Sequence, residues 1–332
     1  MQQAPMSRGR DHRDESGAGT ERRAPVISVV VPVYRGESCL NELHRRIVLA
    51  IEPVVQDFEI VLVEDAGPDD SWSRIRQLAT ADPRVRGLQF SRNFGQHRAI
   101  TAGIDAARGD WIVVMDCDLQ DRPEEIPRLY RAAVTRGDDI VLARRQRRKD
   151  GLLKRTTSAA FYAVFRYLTD LEYDGTVGNF RIISRQVADA FRGMTEQMRF
   201  FGGIVTWLGF RVSSIDVPHD ERYAGETSYT WRKLIELGVQ TIVAHSDKPL
   251  RLAIRLGFLL AFGAIAGGAW VVITALRGGV AVSGWASLMV SIYFLSGVIL
   301  AFMGILGLYL GRVFDEVKGR PLYVVRERTF GG

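Results

Sequence analysis

Three carboxylates and an amide crowd into six residues, Asp116-Cys117-Asp118-Leu119-Gln120-Asp121, directly behind an apolar run at 111–115. In an extended chain, residues two apart point to the same side, which predicts that Asp116 and Asp118 converge. Gln120, two further on, joins them as a third candidate ligand on that face. Hard oxygen donors at a strand end suit Mg²⁺ or Mn²⁺ shared with a diphosphate. In open α/β sheets, ligands bind beyond the carboxyl ends of the strands, where these groups stand. An Asp-x-Asp alone equally describes a solvated turn, so the surrounding chain has to decide.

That surrounding chain alternates apolar strand-length runs with helix-patterned ones. Residues 26–34 (VISVVVPVY), 58–63, 85–90, 111–115 and 139–143 read as strands. Between them, 39–51 carries Leu40, Leu43, Ile47 and Ala50 at helical spacing. Further helices are predicted at about 70–80, 96–107 and from Pro123 to near Gly137, with Gly109 as a terminating glycine. The alternation predicts an α/β domain whose mostly parallel sheet carries helices on both faces. Residues 144–150 (RRQRRKD) then form a basic run, 151–169 patterns as an amphipathic helix, and 180–245 mixes short strands and helices.

The last quarter differs. Residues 256–276 and 286–310 are almost purely apolar, each long enough to cross about 30 Å of hydrocarbon. Lys248, Arg251 and Arg255 precede the first stretch, and Arg312, Lys318 and Arg320 follow the second. Only Arg277 lies between them. By the positive-inside rule, both ends and the α/β domain are expected in the cytoplasm, under a two-helix hairpin in the inner membrane. Residues 231–255 are expected as juxtamembrane amphipathic helices broken near Lys248-Pro249, 312–332 as a cytoplasmic tail, and the polar residues 1–25 as a disordered tail.

Composition narrows the function. The 332 residues hold 47% hydrophobic and 25% charged residues with net charge +6. The basic excess suits anionic lipid or phosphorylated substrates, and no nucleic-acid-binding motif accompanies it. The two cysteines, Cys39 and Cys117, fit a reducing compartment, and no Cys/His cluster has zinc-site spacing.

Six motifs in order carry a resemblance. They are Val31-Pro32-Val33-Tyr34, Val63-Glu64-Asp65, Ser91-Arg92-Asn93-Phe94-Gly95-Gln96, the 116–121 carboxylate run, Gly178-Asn179-Phe180-Arg181, and the 222–229 segment RYAGETSY. With the apolar pair behind them, they resemble family-2 glycosyltransferases of the GT-A (Rossmann-like) fold. Within that family they are most similar to polyprenyl-phosphate glycosyltransferases related to dolichyl-phosphate mannose synthase. The resemblance implies a nucleotide-sugar donor, of UDP type by the family's majority, a divalent metal, a polyprenyl-phosphate acceptor, inversion at the anomeric carbon and a homo-oligomer.

It also implies roles. Pro32, Tyr34, Glu37 and Asp65 fall on the nucleotide side, with Arg92, Gln96 and Asp116 beside them. Asp116, Asp118 and Gln120 would hold the metal. Relatives often have an Asp in the Gly-Asn-Phe-Arg segment where this chain has Asn179, which accepts no proton, so Asp118 or Asp121 serves as base or none is needed. A phosphate monoester has its second pKa at about 6, so the acceptor needs positioning more than deprotonation. Arg145, Lys154, Arg155, Ser158, Arg222 and Ser228 are the candidates for holding it. Glu64, Ala66-Gly67 and residues 35–37 depart from the common pattern. Two other readings compete. A polysaccharide synthase is disfavoured by the spacing in Gln197-Met198-Arg199-Phe200, and a non-catalytic scaffold by the intact Asp116, Asp118 and Gln120.

Overall fold

The computed structural model describes residues 25–145, 177–218, 246–277 and 284–331. One eight-stranded sheet organises them, in the order β7-β5-β6-β4-β1-β2-β3-β8. Its strands are β1 (Ile27–Val33), β2 (Phe58–Glu64), β3 (Val85–Phe90), β4 (Trp111–Val114), β5 (Ile140–Arg145), β6 (Val177–Ser184), β7 (Val212–Val217) and β8 (Val325–Arg328). β4, β1, β2 and β3 run parallel, as do β5 and β7. β6 is antiparallel to both its neighbours, and β8 to β3. The mostly parallel α/β sheet expected from the alternation is therefore present, with two reversed strands.

β1 and β2 are buried at every position, because helices cover both faces. On one face lie α1 (Glu37–Ile51), α2 (Ser71–Ala81) and α4 (Ile126–Arg136), whose Leu40, Leu43, Ile47, Ile75 and Leu129 pack with Val29, Val31, Ile60 and Val113. On the other lie α3 (Gln96–Ala106), α5 (Arg185–Arg192) and α6 (Phe201–Trp207). Ile100, Ile104, Phe191 and Phe201 there meet Val30, Val63, Ile112 and Val114. α4 ends on Gly137 at φ 68°, the left-handed position glycine favours. Gly109 does not terminate α3 in that way. A Cβ on it would stand 2.5 Å from Ser28 N, so the glycine is there for close approach.

The apolar pair forms α7 (Lys248–Leu276) and α8 (Trp285–Val317), both long and apolar enough to cross a membrane. Pro249 opens α7, where its missing N–H costs nothing, and residues 246–247 before it are not helical, as a break near Lys248-Pro249 requires. The sheet also claims residues expected as a tail. β8 pairs with β3, Trp72 Nε1 donates to Glu327 at 2.9 Å, and Gly87 N donates to Thr329 at 2.8 Å. The expected 151–169 helix, the 231–245 helix and the tail at 1–24 lie outside the described residues.

Candidate active site

Chain order places a crevice between β1 and β4. The chain steps from β1 to β2 and β3 on one side, then returns to the other side of β1 for β4. Such a switch point leaves the strand ends splayed and is where open α/β sheets bind ligands. The β1–β4 pairing stops at Val30 and Val114, although β1 continues to Val33. In a strand, the N–H and C=O of one residue face the same neighbour. Val33 O accepts from Asp65 N at 2.9 Å, so Val33 faces β2 and Pro32 faces the β4 side. β4 has already left the sheet there, so the missing N–H of Pro32 breaks no ladder.

Three turns floor this crevice, and each contains a non-glycine residue in the left-handed region. These are Arg35 (φ 55°) after β1, Ala66 (φ 48°) after β2 and Leu119 (φ 61°) after β4, the full set among the described residues. Each costs of order 1 kcal/mol, and strain of this kind persists where neighbours over-determine the backbone. The neighbours are visible. A Cβ on Gly36 would lie 3.3 Å from Cys117 Sγ, so the first and third turns touch. Gly36 N donates to Ser71 Oγ at 3.0 Å, which donates to Asp69 Oδ1 at 2.8 Å. Glu37 N donates to Asp69 Oδ2 at 3.1 Å, and Glu37 Oε2 accepts from Asp70 N at 3.3 Å. Glu37 thus stitches the first turn to the second. Asp69 and Ser71 read in sequence only as the start of α2, and nothing in the pattern announces their reach to α1.

The carboxylates stand on the third turn. β4 ends at Val114, and 116–120 is not extended, so Asp116 and Asp118 do not converge by strand alternation as expected. The turn gathers them instead. Asp116 Oδ1 accepts from Gln96 Nε2 at 2.7 Å and from Asn179 Nδ2 at 3.3 Å. Asp121 Oδ2 accepts from Asp116 N at 3.3 Å, and its Oδ1 from Arg145 Nη2 at 3.4 Å. Asp118 Oδ1 accepts from Gln120 N at 3.2 Å, which closes the turn through the backbone of Gln120.

Burial pushes the Asp116 carboxyl up to about 7, and the neighbouring Asp121 and Asp118 charges add to it against the pull of Asn179 and Arg145. Asp121 is also raised, by burial, although Arg145 opposes the shift. Burial lifts the Cys117 thiol to about 12, which leaves it protonated. Oxygen donors held at mutual cost fit a divalent cation, which would relieve them. Among the described residues, no three His, Cys, Asp or Glu side chains form a ready-made metal set. One or two carboxylates completed by diphosphate oxygens is the usual arrangement for Mg²⁺.

The remaining predicted residues divide. Tyr34 is 47% exposed after β1, with the Arg35 guanidinium over its ring 5.6 Å from the centre. Asp65 is buried, and its two oxygens accept from Phe94 N (2.6 Å) and Gly95 N (2.9 Å), fixing the loop that leads into Gln96. Burial raises its carboxyl in spite of those donors. Arg92 lies over the Phe94 ring at 4.2 Å. Arg145, expected at the acceptor phosphate, is paired with Asp121 inside the carboxylate group. Gly178 makes room for it, since a Cβ there would meet Arg145 Nη2 at 2.7 Å. Lys154, Arg155, Ser158, Arg222 and Ser228 lie outside the described residues.

The family model described as "Glycosyl transferase family 2" matches residues 28–192, which hold the crevice and all three turns. "Uncharacterized glycosyltransferase YkcC" of Bacillus subtilis (strain 168) is 37% identical over 305 residues, covering 92% of this chain and 94% of the relative. "Prophage bactoprenol glucosyl transferase homolog" of Escherichia coli (strain K12) is 38% identical, covering 90% and 98%. "Bactoprenol glucosyl transferase" of Shigella phage SfII is 38% identical, covering 92% and 99%. These matches run nearly end to end, through the crevice and the apolar pair together, and the chain belongs to glycosyltransferase family 2.

Proposed function

We propose that this chain transfers a hexose from a UDP-sugar to a polyprenyl phosphate, undecaprenyl phosphate in a bacterial membrane, with inversion at the anomeric carbon. The observation that carries the proposal is the end-to-end similarity to bactoprenol glucosyl transferases, with the apolar helices included. The crevice supplies a compatible chemistry. The exposed Tyr34 ring would offer a surface for the base, and Asp116 and Asp118 would hold the divalent cation. When bound, Mg²⁺ or Mn²⁺ neutralises charge on the leaving nucleoside diphosphate as a Lewis acid.

Gln96 and Asn179 hold the Asp116 carboxylate in one orientation by donating to the same oxygen. Arg145 holds Asp121 and places a cation beside the reacting groups. Asn179 takes no proton here; its amide donates. The acceptor phosphate, already mostly dianionic near neutral pH, attacks without a general base, and positioning supplies the catalysis. Residues 26–230 form the catalytic domain on this reading. The hairpin crosses the inner membrane with both termini cytoplasmic, as the flanking Lys248, Arg251, Arg255, Arg312, Lys318 and Arg320 favour.

The test uses the purified full-length protein in detergent with polyprenyl phosphate, Mn²⁺ or Mg²⁺, and UDP-, GDP- and dTDP-sugars, followed by mass detection of lipid product. A product from one UDP-sugar, absent on chelation and in Asp118→Ala, is expected. No lipid product from any donor would sink the acceptor assignment, and product from a GDP- or dTDP-sugar alone would correct the nucleotide.

A further inference from the structure

The segment behind α8 packs back on the catalytic domain beside β3. Near the end of α8, Glu316 Oε1 accepts from Gln197 N at 2.9 Å, and Arg320 O accepts from Gln197 Nε2 at 2.8 Å. Tyr323 stacks on Phe90 with ring centres 5.2 Å apart and donates to Asp105 Oδ2 at 2.7 Å. Val324 O accepts from Ser91 N at 2.9 Å. The end of the apolar helix is thereby tied to two segments of the catalytic domain, the loop at 91–95 and the stretch around Gln197.

One side chain joins those two segments. Arg98, on the first turn of α3, donates through Nη1 to Phe94 O at 3.2 Å and through Nη2 to Gln197 O at 3.4 Å. Its Nε is buried and makes no hydrogen bond. The guanidinium donates to two main-chain carbonyls, one on each segment, and its charge also draws down the buried Asp65 carboxyl; a rigid fork reaches both carbonyls where a single ammonium keeps the charge and reaches one. From Phe94 the path continues inward. Phe94 N and Gly95 N are held by Asp65, and the next residue, Gln96, donates to Asp116.

We propose that Arg98 is a positioning residue for the donor site, which carries the placement of α8 through Gln197 to the 91–96 loop and so sets Gln96 against Asp116. The inference rests on the reading of the crevice as the donor site. On this arrangement the apolar pair is more than an anchor. Its last turn and the strap behind it belong to the framework that holds a metal-side carboxylate in orientation. The effect falls on donor binding, because the residues at the end of the path face the donor diphosphate.

The experiment compares wild type, Arg98→Ala, Arg98→Lys, Gln197→Ala and the Arg98→Ala/Gln197→Ala double variant, all full-length in detergent. Donor KM, kcat, UDP affinity by calorimetry and melting temperature are measured on each. Arg98→Ala is expected to raise donor KM and weaken UDP about tenfold, as loss of a charged donor to two carbonyls does. Its kcat is expected to stay within about twofold, the signature of lost uniform binding. Arg98→Lys recovers part of the loss. Gln197→Ala shifts KM the same way by less, and the double variant falls short of the product of the two, since both lie on one path. Unchanged donor KM and UDP affinity in Arg98→Ala, or a change confined to melting temperature, overturns the inference. If the wild type makes no lipid product, the acceptor reading fails alone, and UDP affinity still decides this one.

Discussion

The two ends of the sheet hold carboxylates under opposite conditions. At the amino end, Glu59 on β2 is 2% exposed. Its Oε1 accepts from Ser28 Oγ (2.7 Å) and Arg108 N (2.6 Å), and its Oε2 from Arg86 Nη1 (2.9 Å) and Arg108 Nη2 (2.9 Å). Burial pushes this carboxyl up, but Ser28, the Arg108 amide and the two guanidiniums outweigh it and hold it below its ordinary 4.5. At the carboxyl end, Arg145 pairs with Asp121 and lies near Asp116, and Asp116 still rises to about 7. The residue type is nearly the same, and the compensation differs. A carboxylate matched by protein cations holds strands together. One left short of them has capacity for a charge from outside, which is how functional sites and structural ion pairs are told apart.

The comparison breaks most sharply at Asp116. Asp116→Asn keeps an oxygen for Gln96 and Asn179 and removes a charge that burial and Asp121 oppose. Transfer to lipid is expected to fall by about 10³-fold or more, a loss of about 4 kcal/mol of barrier lowering. The melting temperature of the metal-free protein is expected to hold or rise. A clear fall in melting temperature would show that Asp116 is structural, like Glu59.

The reverse outcome is expected at the other end. Glu59→Gln leaves Arg86 and half-exposed Arg108 facing a neutral amide, and breaking a buried ion pair this way costs about 3 kcal/mol. Transfer per folded molecule, measured at a temperature well below melting, should be unchanged. The pH dependence has a definite sign. The folded pKa of Glu59 lies below its unfolded value, so its contribution is complete above that unfolded value, near 4.5. It fades as pH falls through the depressed folded value. The difference in melting temperature between wild type and Glu59→Gln should therefore be steady from pH 7 to 5 and narrow below about 4.5. A gap that widens on acidification would reverse the assignment.

The sequence exposed these two ends unequally. Strands β1 to β4 and helices α1 to α4 were legible because buried parallel strands read as unbroken apolar runs and the helices have apolar faces. The carboxyl-end cluster was legible because four of its residues are consecutive or nearly so. Its geometry was not, since the turn at Leu119 rather than strand alternation gathers it, and the left-handed φ of a leucine has no pattern. Glu59 was invisible for another reason. Its partners Ser28, Arg86 and Arg108 lie 31, 27 and 49 residues away, and only the sheet register joins them. The same holds for β8, whose Val-Arg-Glu-Arg has no strand signature, and for Arg98, whose partners are main-chain carbonyls. Antiparallel β6 was hidden in a stretch of mixed short elements.

Ser28 allows a finer cut at the amino end. Its hydroxyl accepts from Gly109 N at 2.7 Å while donating to Glu59 Oε1 at 2.7 Å, and the residue is fully buried. Ser28→Ala orphans the Gly109 N–H and removes one of the bonds that lower Glu59. A cost of about 2 kcal/mol in melting is expected, with no change in donor KM. A Ser28→Ala protein of wild-type stability would mean that water reaches this end of the sheet and that the compensation there is less complete than the contacts imply.

The smallest effect is the most specific. Asn179→Asp replaces an amide that donates to Asp116 Oδ1 at 3.3 Å with a carboxylate, and the residue that opposes the rise of Asp116 becomes one that adds to it. The carboxyl end then gains a fourth acid beside Asp116. Like charges at this range, partly screened, cost about 1 kcal/mol. The metal-free protein should melt lower than wild type at pH 8 and approach it at pH 5.5, where the shared proton is available. Added Mn²⁺ should stabilise the variant more than the wild type, because the cation meets one more negative oxygen. The measurement is a pair of melting curves with and without Mn²⁺ at each pH. Equal Mn²⁺ stabilisation of both proteins would place the cation away from Asp116 and remove the contrast between the two ends on which its role rests.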